Sequence, residues 1–196
     1  ETTGAGSQSG GNPPLGGTSQ TGGTTGEPLH CANSDALQVV SVAPGKEHVC
    51  VLLSNSGVRC WGRNNYGQLG DGTKTDRSTL PTSDVLMGVT AIAAGDTHTC
   101  ALMDTGGVRC WGDNEFGQLG GVGGTQKDVL TGVKAIATGA SHTCALMNTG
   151  GVRCWGDNDY GPLGYQSTES CYSDYDFYGT NPHPCNRTPP TNDGLT

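Results

Sequence analysis

Three copies of one segment set the terms on which this chain can fold. His48-Val49-Cys50-Val51-Leu52-Leu53, followed by Gly57-Val58-Arg59-Cys60-Trp61-Gly62, returns as His98-Thr99-Cys100-Ala101-Leu102-Met103 with Gly107-Val108-Arg109-Cys110-Trp111-Gly112. It returns again as His142-Thr143-Cys144-Ala145-Leu146-Met147 with Gly151-Val152-Arg153-Cys154-Trp155-Gly156. The three histidines are 50 and then 44 residues apart. Short strands and glycine turns recurring at such a period are the signature of propeller blades, each too thin to bury its own apolar faces. The repeats run over 39–88, 89–132 and 133–196.

Within a repeat the pattern predicts a strand, a turn and a hairpin. Val89-Thr90-Ala91-Ile92-Ala93 and Val133-Lys134-Ala135-Ile136-Ala137 alternate as strands do and end at Gly95 and Gly139. The next strand places His98, Cys100 and Leu102 on one face and Thr99, Ala101 and Met103 on the other, because strand side chains alternate with period two. Asp104-Thr105-Gly106-Gly107 supplies a hairpin turn, and Val108 to Trp111 returns beside it. Cys50 and Cys60, Cys100 and Cys110, and Cys144 and Cys154 lie symmetrically about such turns, opposite one another across the hairpin and within reach of a disulfide. A redox pair or a zinc site would want closer spacing. These three pairs read as staples, one per blade.

Composition adds a compartment. Nine cysteines among 196 residues suit an oxidising location, secreted or at a cell surface. Eighteen acidic against ten basic residues give a net charge of −8, which repels phosphate backbones and argues against nucleic acid as a partner. No apolar stretch has the length of a membrane helix. Residues 1–30 are nearly all Gly, Ser, Thr, Gln and Pro and are expected to be a flexible low-complexity tether, or simply an unstructured leader, ahead of a three-repeat segment at 31–196. The chain opens at Glu1, so a signal peptide is expected to have been removed or left out.

The run Cys60-Trp61-Gly62-Arg63-Asn64-Asn65-Tyr66-Gly67-Gln68-Leu69-Gly70-Asp71-Gly72-Thr73, with Ala91-Ile92-Ala93-Ala94-Gly95-Asp96-Thr97-His98-Thr99-Cys100-Ala101-Leu102, resembles the regulator of chromosome condensation repeat family. The resemblance covers residues 39 to about 165 and implies an all-β fold, a β-propeller with four-stranded antiparallel blades. Three blades make only part of a ring, since propellers close with about four to eight. The chain is therefore expected to be a fragment of a longer array, or to have its open edges covered by another copy or another protein. Members of the family act in nucleotide exchange on a small nuclear GTPase, in ultraviolet sensing and in inhibition of secreted β-lactamases, so the fold does not fix the function. The paired cysteines and acidic charge speak against the nuclear role, and the confinement of Trp61, Trp111 and Trp155 to the repeat position speaks against a light sensor. The resemblance implies that His48, His98 and His142 are structural, held by hydrogen bonds to neighbouring backbone rather than grouped around a metal. The tryptophans read as fillers between blades.

Other candidates are fewer. Residues 165–188 form an insertion unique to the third repeat, rich in Tyr165, Tyr172, Tyr175, Phe177 and Tyr178 and flanked by Cys171 and Cys185, whose pairing would pre-organise it. It reads either as a partner-binding loop or as a tolerated surface insertion. Asp113, Asp157 and Asp159 are weak calcium candidates that turn chemistry explains more simply. Cys31 is left over, and Asn186-Arg187-Thr188 is a glycosylation sequon if the source is a eukaryote. No nucleophile elbow, singled-out carboxylate pair or phosphate-cradling loop is present, so neither catalysis nor a cofactor is expected. The sequence thus points to a secreted or tethered protein-binding module recognised through its blade loops. The alternatives are a subunit of an extracellular assembly joined through open blade edges and an inhibitor of a secreted hydrolase.

Overall fold

The computed structural model describes residues 37–166, 169–171 and 183–191. Three antiparallel sheets follow one another along the chain, one per repeat. The first contains β1 (Val39–Pro44), β2 (His48–Leu53) and β3 (Val58–Gly62), and the second β4 (Val89–Ala94), β5 (His98–Met103) and β6 (Val108–Gly112). The third contains β7 (Val133–Thr138), β8 (His142–Met147) and β9 (Val152–Asp157), then β11 (His183–Asn186) and β10 (Glu169–Cys171) at its edge. These sheets are propeller blades, and their inner strands β1, β4 and β7 are neighbours in turn.

The four strands that the resemblance implies are realised differently in each blade. In the first two, the outermost segment joins by isolated bridges, Val58 to Leu86 and Val108 to Leu130. A salt bridge on each side of the repeat substitutes for a longer ladder: Arg59 Nε donates to Asp84 and Arg109 Nε to Asp128, both at 2.6 Å. In the third blade the insertion supplies β11 and β10, making five strands.

Register explains the core. Every hairpin pairs the same residues, with His48, His98 and His142 opposite Gly62, Gly112 and Gly156, and Cys50, Cys100 and Cys144 opposite Cys60, Cys110 and Cys154. Each blade therefore has a forward face of His, Cys and Leu, and a backward face that carries the tryptophan with Thr, Ala and Met in the second and third blades and with Val49, Val51 and Leu53 in the first. Forward residues Cys50, Leu52, Val58 and Cys60 of the first blade pack on Val89, Ala101, Met103 and Trp111 of the second. Cys100, Leu102, Val108 and Cys110 pack in the same way on Val133, Ala145, Met147 and Trp155 of the third. The core lies between blades, as thin sheets require.

Gly70 shows how tight that seam is. It sits at φ +73°, and a Cβ there would fall 2.7 Å from the Trp111 indole nitrogen, whereas Gly72 at φ +77° has open space. Gly70→Ala is expected to cost several kcal/mol, against about 1–2 kcal/mol of backbone strain for Gly72→Ala. Urea denaturation of the two variants measures the difference directly.

Candidate functional site

The repeated residues are used up in joining blades. The Thr99 hydroxyl donates to the Gln68 carbonyl at 2.9 Å, and the Trp111 indole donates to the same oxygen at 2.9 Å. With its one proton committed, Thr99 Oγ1 is left to accept from His48 Nε2 at 2.9 Å, which assigns the Nε2–H tautomer to His48. The second junction repeats this: Thr143 and Trp155 donate to the Gln118 carbonyl, and His98 Nε2 lies 3.0 Å from Thr143 Oγ1. His48 and His98 are thus held by a hydroxyl of the next blade, where backbone partners were expected. Burial lowers the pKa of His48 to about 4 and that of His98 to about 3, with the neighbouring histidines adding to the latter. Nδ1 of both rings is buried without a hydrogen-bond partner, so a second ring proton would have no acceptor.

Four disulfides are present among the described residues. Cys50–Cys60, Cys100–Cys110 and Cys144–Cys154 each span a Cα separation of 4.1 Å within their hairpins, and Cys171–Cys185 spans 5.8 Å across the edge of the third blade. Cys31 lies outside the described residues.

An asparagine, buried at Asn64 and Asn158 and partly buried at Asn114, locks the loop after each hairpin. Asn64, Asn114 and Asn158 each accept through Oδ1 from the amide five residues on, of Leu69, Leu119 and Leu163. In the first repeat Asn64 also donates to Asp71 and to the carbonyls of Thr73 and Thr75. Burial alone would raise the Asp71 pKa, but hydrogen bonds from Thr73, Arg77 and Asn64 bring it down to about 2.

With these residues committed, some positions that differ between repeats lie on one side of the blades, together with Tyr66 and Phe116 at a position that is aromatic in all three repeats. Turns at Lys46-Glu47, Asp96-Thr97 and Ser141, with the loops at Arg63–Tyr66 and Asp113–Phe116, line a groove of about 300 Å³. Tyr66 and Phe116 give it an aromatic element, and the acids Glu47, Asp96, Asp113 and Glu115 outnumber Lys46 and Arg63. Arg63 is held against Glu47 at 2.5 Å. Asp113 accepts from Gln118 Nε2, Thr97 Oγ1 and the Glu115 amide, and Asp157 accepts from the Asp159 amide. These carboxylates serve turns, and no group of three metal-ligating side chains occurs among the described residues.

The insertion is only partly described. Tyr172, Tyr175, Phe177 and Tyr178 lie outside the described residues. The Tyr165 hydroxyl donates to the Cys154 carbonyl at 2.9 Å and meets the Asn186 amide, tying the insertion to its blade. Burial raises its pKa.

The signature of the Regulator of chromosome condensation (RCC1) repeat matches residues 39–68, 89–118 and 133–161, and a second form of it matches 57–102. The chain belongs to the RCC1 repeat family. Among curated relatives, the human probable E3 ubiquitin-protein ligase HERC4 is 43% identical over 54 residues, which is 28% of this chain and 5% of HERC4. Among solved structures, Prp20p from Saccharomyces cerevisiae aligns with a TM-score of 0.62 and 26% identity, over 81% of this chain and 39% of Prp20p. Human WBSCR16 aligns with a TM-score of 0.58 and 24% identity, over 79% of this chain and 39% of its own, and shares the fold. The chain thus spans well under half of these relatives. Across the three RCC1 repeats the sequence showed the histidines, cysteines and tryptophans plainly. It hid Thr99, Thr143, Gln68 and Gln118, whose signal was Val49 standing alone against two threonines. It also hid the groove, part of whose signal was the turn positions at which near-identical repeats disagree.

Proposed function

We propose that this chain is a secreted or surface-tethered protein-binding module that recognises its partner on the groove face. The observation that carries this reading is the groove itself, where turn residues that differ between repeats surround Tyr66 and Phe116. Aromatic side chains ringed by charge are what protein-binding hot spots are made of. The excess of acid fits a partner segment with basic side chains and disfavours a phosphate backbone. Four disulfides support an oxidising compartment. In the Prp20p work the structure is reported with its binding to Gsp1p and histones, and protein binding is the property carried over here. An inhibitor of a secreted hydrolase is the case in which the bound partner is itself an enzyme.

The test is affinity capture from the extracellular fraction of the source organism by the oxidised chain and by a Tyr66→Ala/Phe116→Ala variant. A protein held by the first and bound at least about tenfold more weakly by the second is the expected result. Equal retention by both would remove the groove from the function.

A further inference from the structure

Phe116 stands in the wall of the groove, and the loop that carries it is held from outside its own blade. A Cβ on Gly117 would collide with the Cα of Arg187, and one on Gly120 would fall 3.1 Å from Pro189 Cδ. The chain that follows β11 of the third blade therefore lies directly over the second blade's loop. We propose that the edge hairpin of β10 and β11 is a brace for the groove, which fixes the loop 114–120 and with it Phe116, and that the Cys171–Cys185 disulfide keeps the brace in place.

The first blade shows why the second needs one. Both loops have the same internal bonds: the Gly67 amide donates to the Asn64 carbonyl as Gly117 does to Asn114, and Gly70 donates to Gly67 as Gly120 does to Gly117. The Tyr66 amide donates to Gln68 Oε1 as the Phe116 amide does to Gln118 Oε1. The loops differ in what backs them. Leu86 follows Gly62 by 24 residues, and the longer chain folds onto its own loop, where Asp71, Thr73 and Thr75 accept from Asn64 Nδ2. Leu130 follows Gly112 by 18 residues, Asn114 Nδ2 donates to the Gly121 carbonyl, and Asn114 is only partly buried. Among the described residues a Cβ on Gly67 would meet only the Thr73 carbonyl, at 3.7 Å. The first loop is thus backed by its own blade and the second by the third blade's edge.

That edge rests on little pairing. β11 meets β9 at two positions, Cys185 with Asp157 and Asn186 with Gly156, and β10 meets β11 at three. Strands this short are weak by themselves. Cys171 and Cys185, both fully buried, join β10 to β11 two residues before Arg187, whose amide donates to the Glu169 carboxylate at 3.0 Å. Without the disulfide the hairpin loses the constraint that offsets the entropy of ordering it. The insertion then acts on recognition through Phe116, and this use of the brace rests on the groove being the recognition face.

Hydrogen exchange of the oxidised, partner-free chain tests the brace whether or not the groove binds a partner. In Cys171→Ser/Cys185→Ser the bonded amides of Phe116, Gly117, Leu119 and Gly120 are expected to exchange at least about tenfold faster, while those of Tyr66, Gly67, Leu69 and Gly70 keep their wild-type rates. A loss of stability spread over the chain would speed both loops alike and would overturn the proposal. Gly117→Ala and Gly67→Ala make a matched pair, since the glycines lie at φ +81° and +79° and only the first meets Arg187. Gly117→Ala is expected to speed exchange in β11 as well as in its own loop, and Gly67→Ala to leave β11 slow. Adding Gly117→Ala to the cysteine variant should change the 114–120 loop no further, because both break the same contact. Wild-type protection of that loop in the cysteine variant, or equal exchange of β11 in the two alanine variants, would also overturn it. A Tyr66→Ala/Phe116→Ala chain that binds as wild type does would remove the groove from recognition and leave the exchange result standing.

Discussion

Lowering the pH from 7 to 4 is expected to strip this protein of about 6 kcal/mol of stability, comparable to the whole stability of an ordinary domain. The cause is the pair of junction histidines. In the folded chain burial holds His48 at about 4 and His98 at about 3, against 6.5 for an exposed histidine. Above pH 6.5 both rings are neutral in either state, and their contribution is complete. Below 6.5 the unfolded chain takes up two protons that the folded chain refuses, so stability falls with the pH until the folded values are reached. Each ring loses about 1.4 kcal/mol per pH unit over that interval. Protonating Nδ1 in place would create a buried cation with no acceptor, so proton uptake has to separate the blades. Urea midpoints at pH 7, 5.5 and 4.5 test this. They should fall steeply in wild type and much less in His48→Gln/His98→Gln, which is less stable at pH 7 but has lost the two titrating groups. A wild-type midpoint that is flat from pH 7 to 4.5 would contradict the burial of these rings.

How much of this was legible in the sequence depends on whether a residue's role is local. The hairpins were legible, because alternation, a glycine turn and two cysteines at fixed spacing are all decided within a dozen residues. Cys100 opposite Cys110 follows from counting outward from Thr105. The outer edge of each blade was not. Leu86 reaches Val58, and Asp84 reaches Arg59, across a loop whose length differs in every repeat, and such pairing leaves no periodic trace. Five strands in the third blade were equally hidden, since β10 and β11 are three and four residues long.

The histidines show the same limit at a finer scale. Their recurrence marked them as structural, but whether their partner was backbone or side chain depended on how one blade faces the next. The alternation of β5 already placed Thr99 on the face opposite His98. It follows that Thr99 cannot serve its own histidine and must serve that of the blade before. The bond of the Tyr165 hydroxyl to the Cys154 carbonyl was hidden for a related reason: composition shows an aromatic but not what its hydroxyl meets. The groove was invisible because the turns that line it, at Lys46-Glu47, Asp96-Thr97 and Ser141, come together only when the blades pack side by side.

Reduction of the disulfides is expected to have the larger effect, and its distribution over the blades is informative. The three hairpin disulfides each join residues ten apart, so closing the loop constrains the unfolded chain equally, by about 3 kcal/mol apiece in the entropy model. Together that is about 9 kcal/mol, comparable to the whole stability of a domain, and excess dithiothreitol should unfold the chain without urea. What differs between the pairs is packing. Cys100 and Cys110 are fully buried in the second junction, whereas Cys144 is half-exposed on the forward face of the third blade. Cys100→Ala/Cys110→Ala therefore adds a buried void to the shared entropic loss and is expected to cost about 1–2 kcal/mol more than Cys144→Ala/Cys154→Ala. Urea denaturation under non-reducing conditions separates the two terms: equal losses would mean that the sulfurs only close loops, and unequal losses that they are part of the seam. In either case, a chain that unfolds when reduced can serve as a binding module only where thiols stay oxidised, which ties the proposed extracellular setting to a measurable property of the blades.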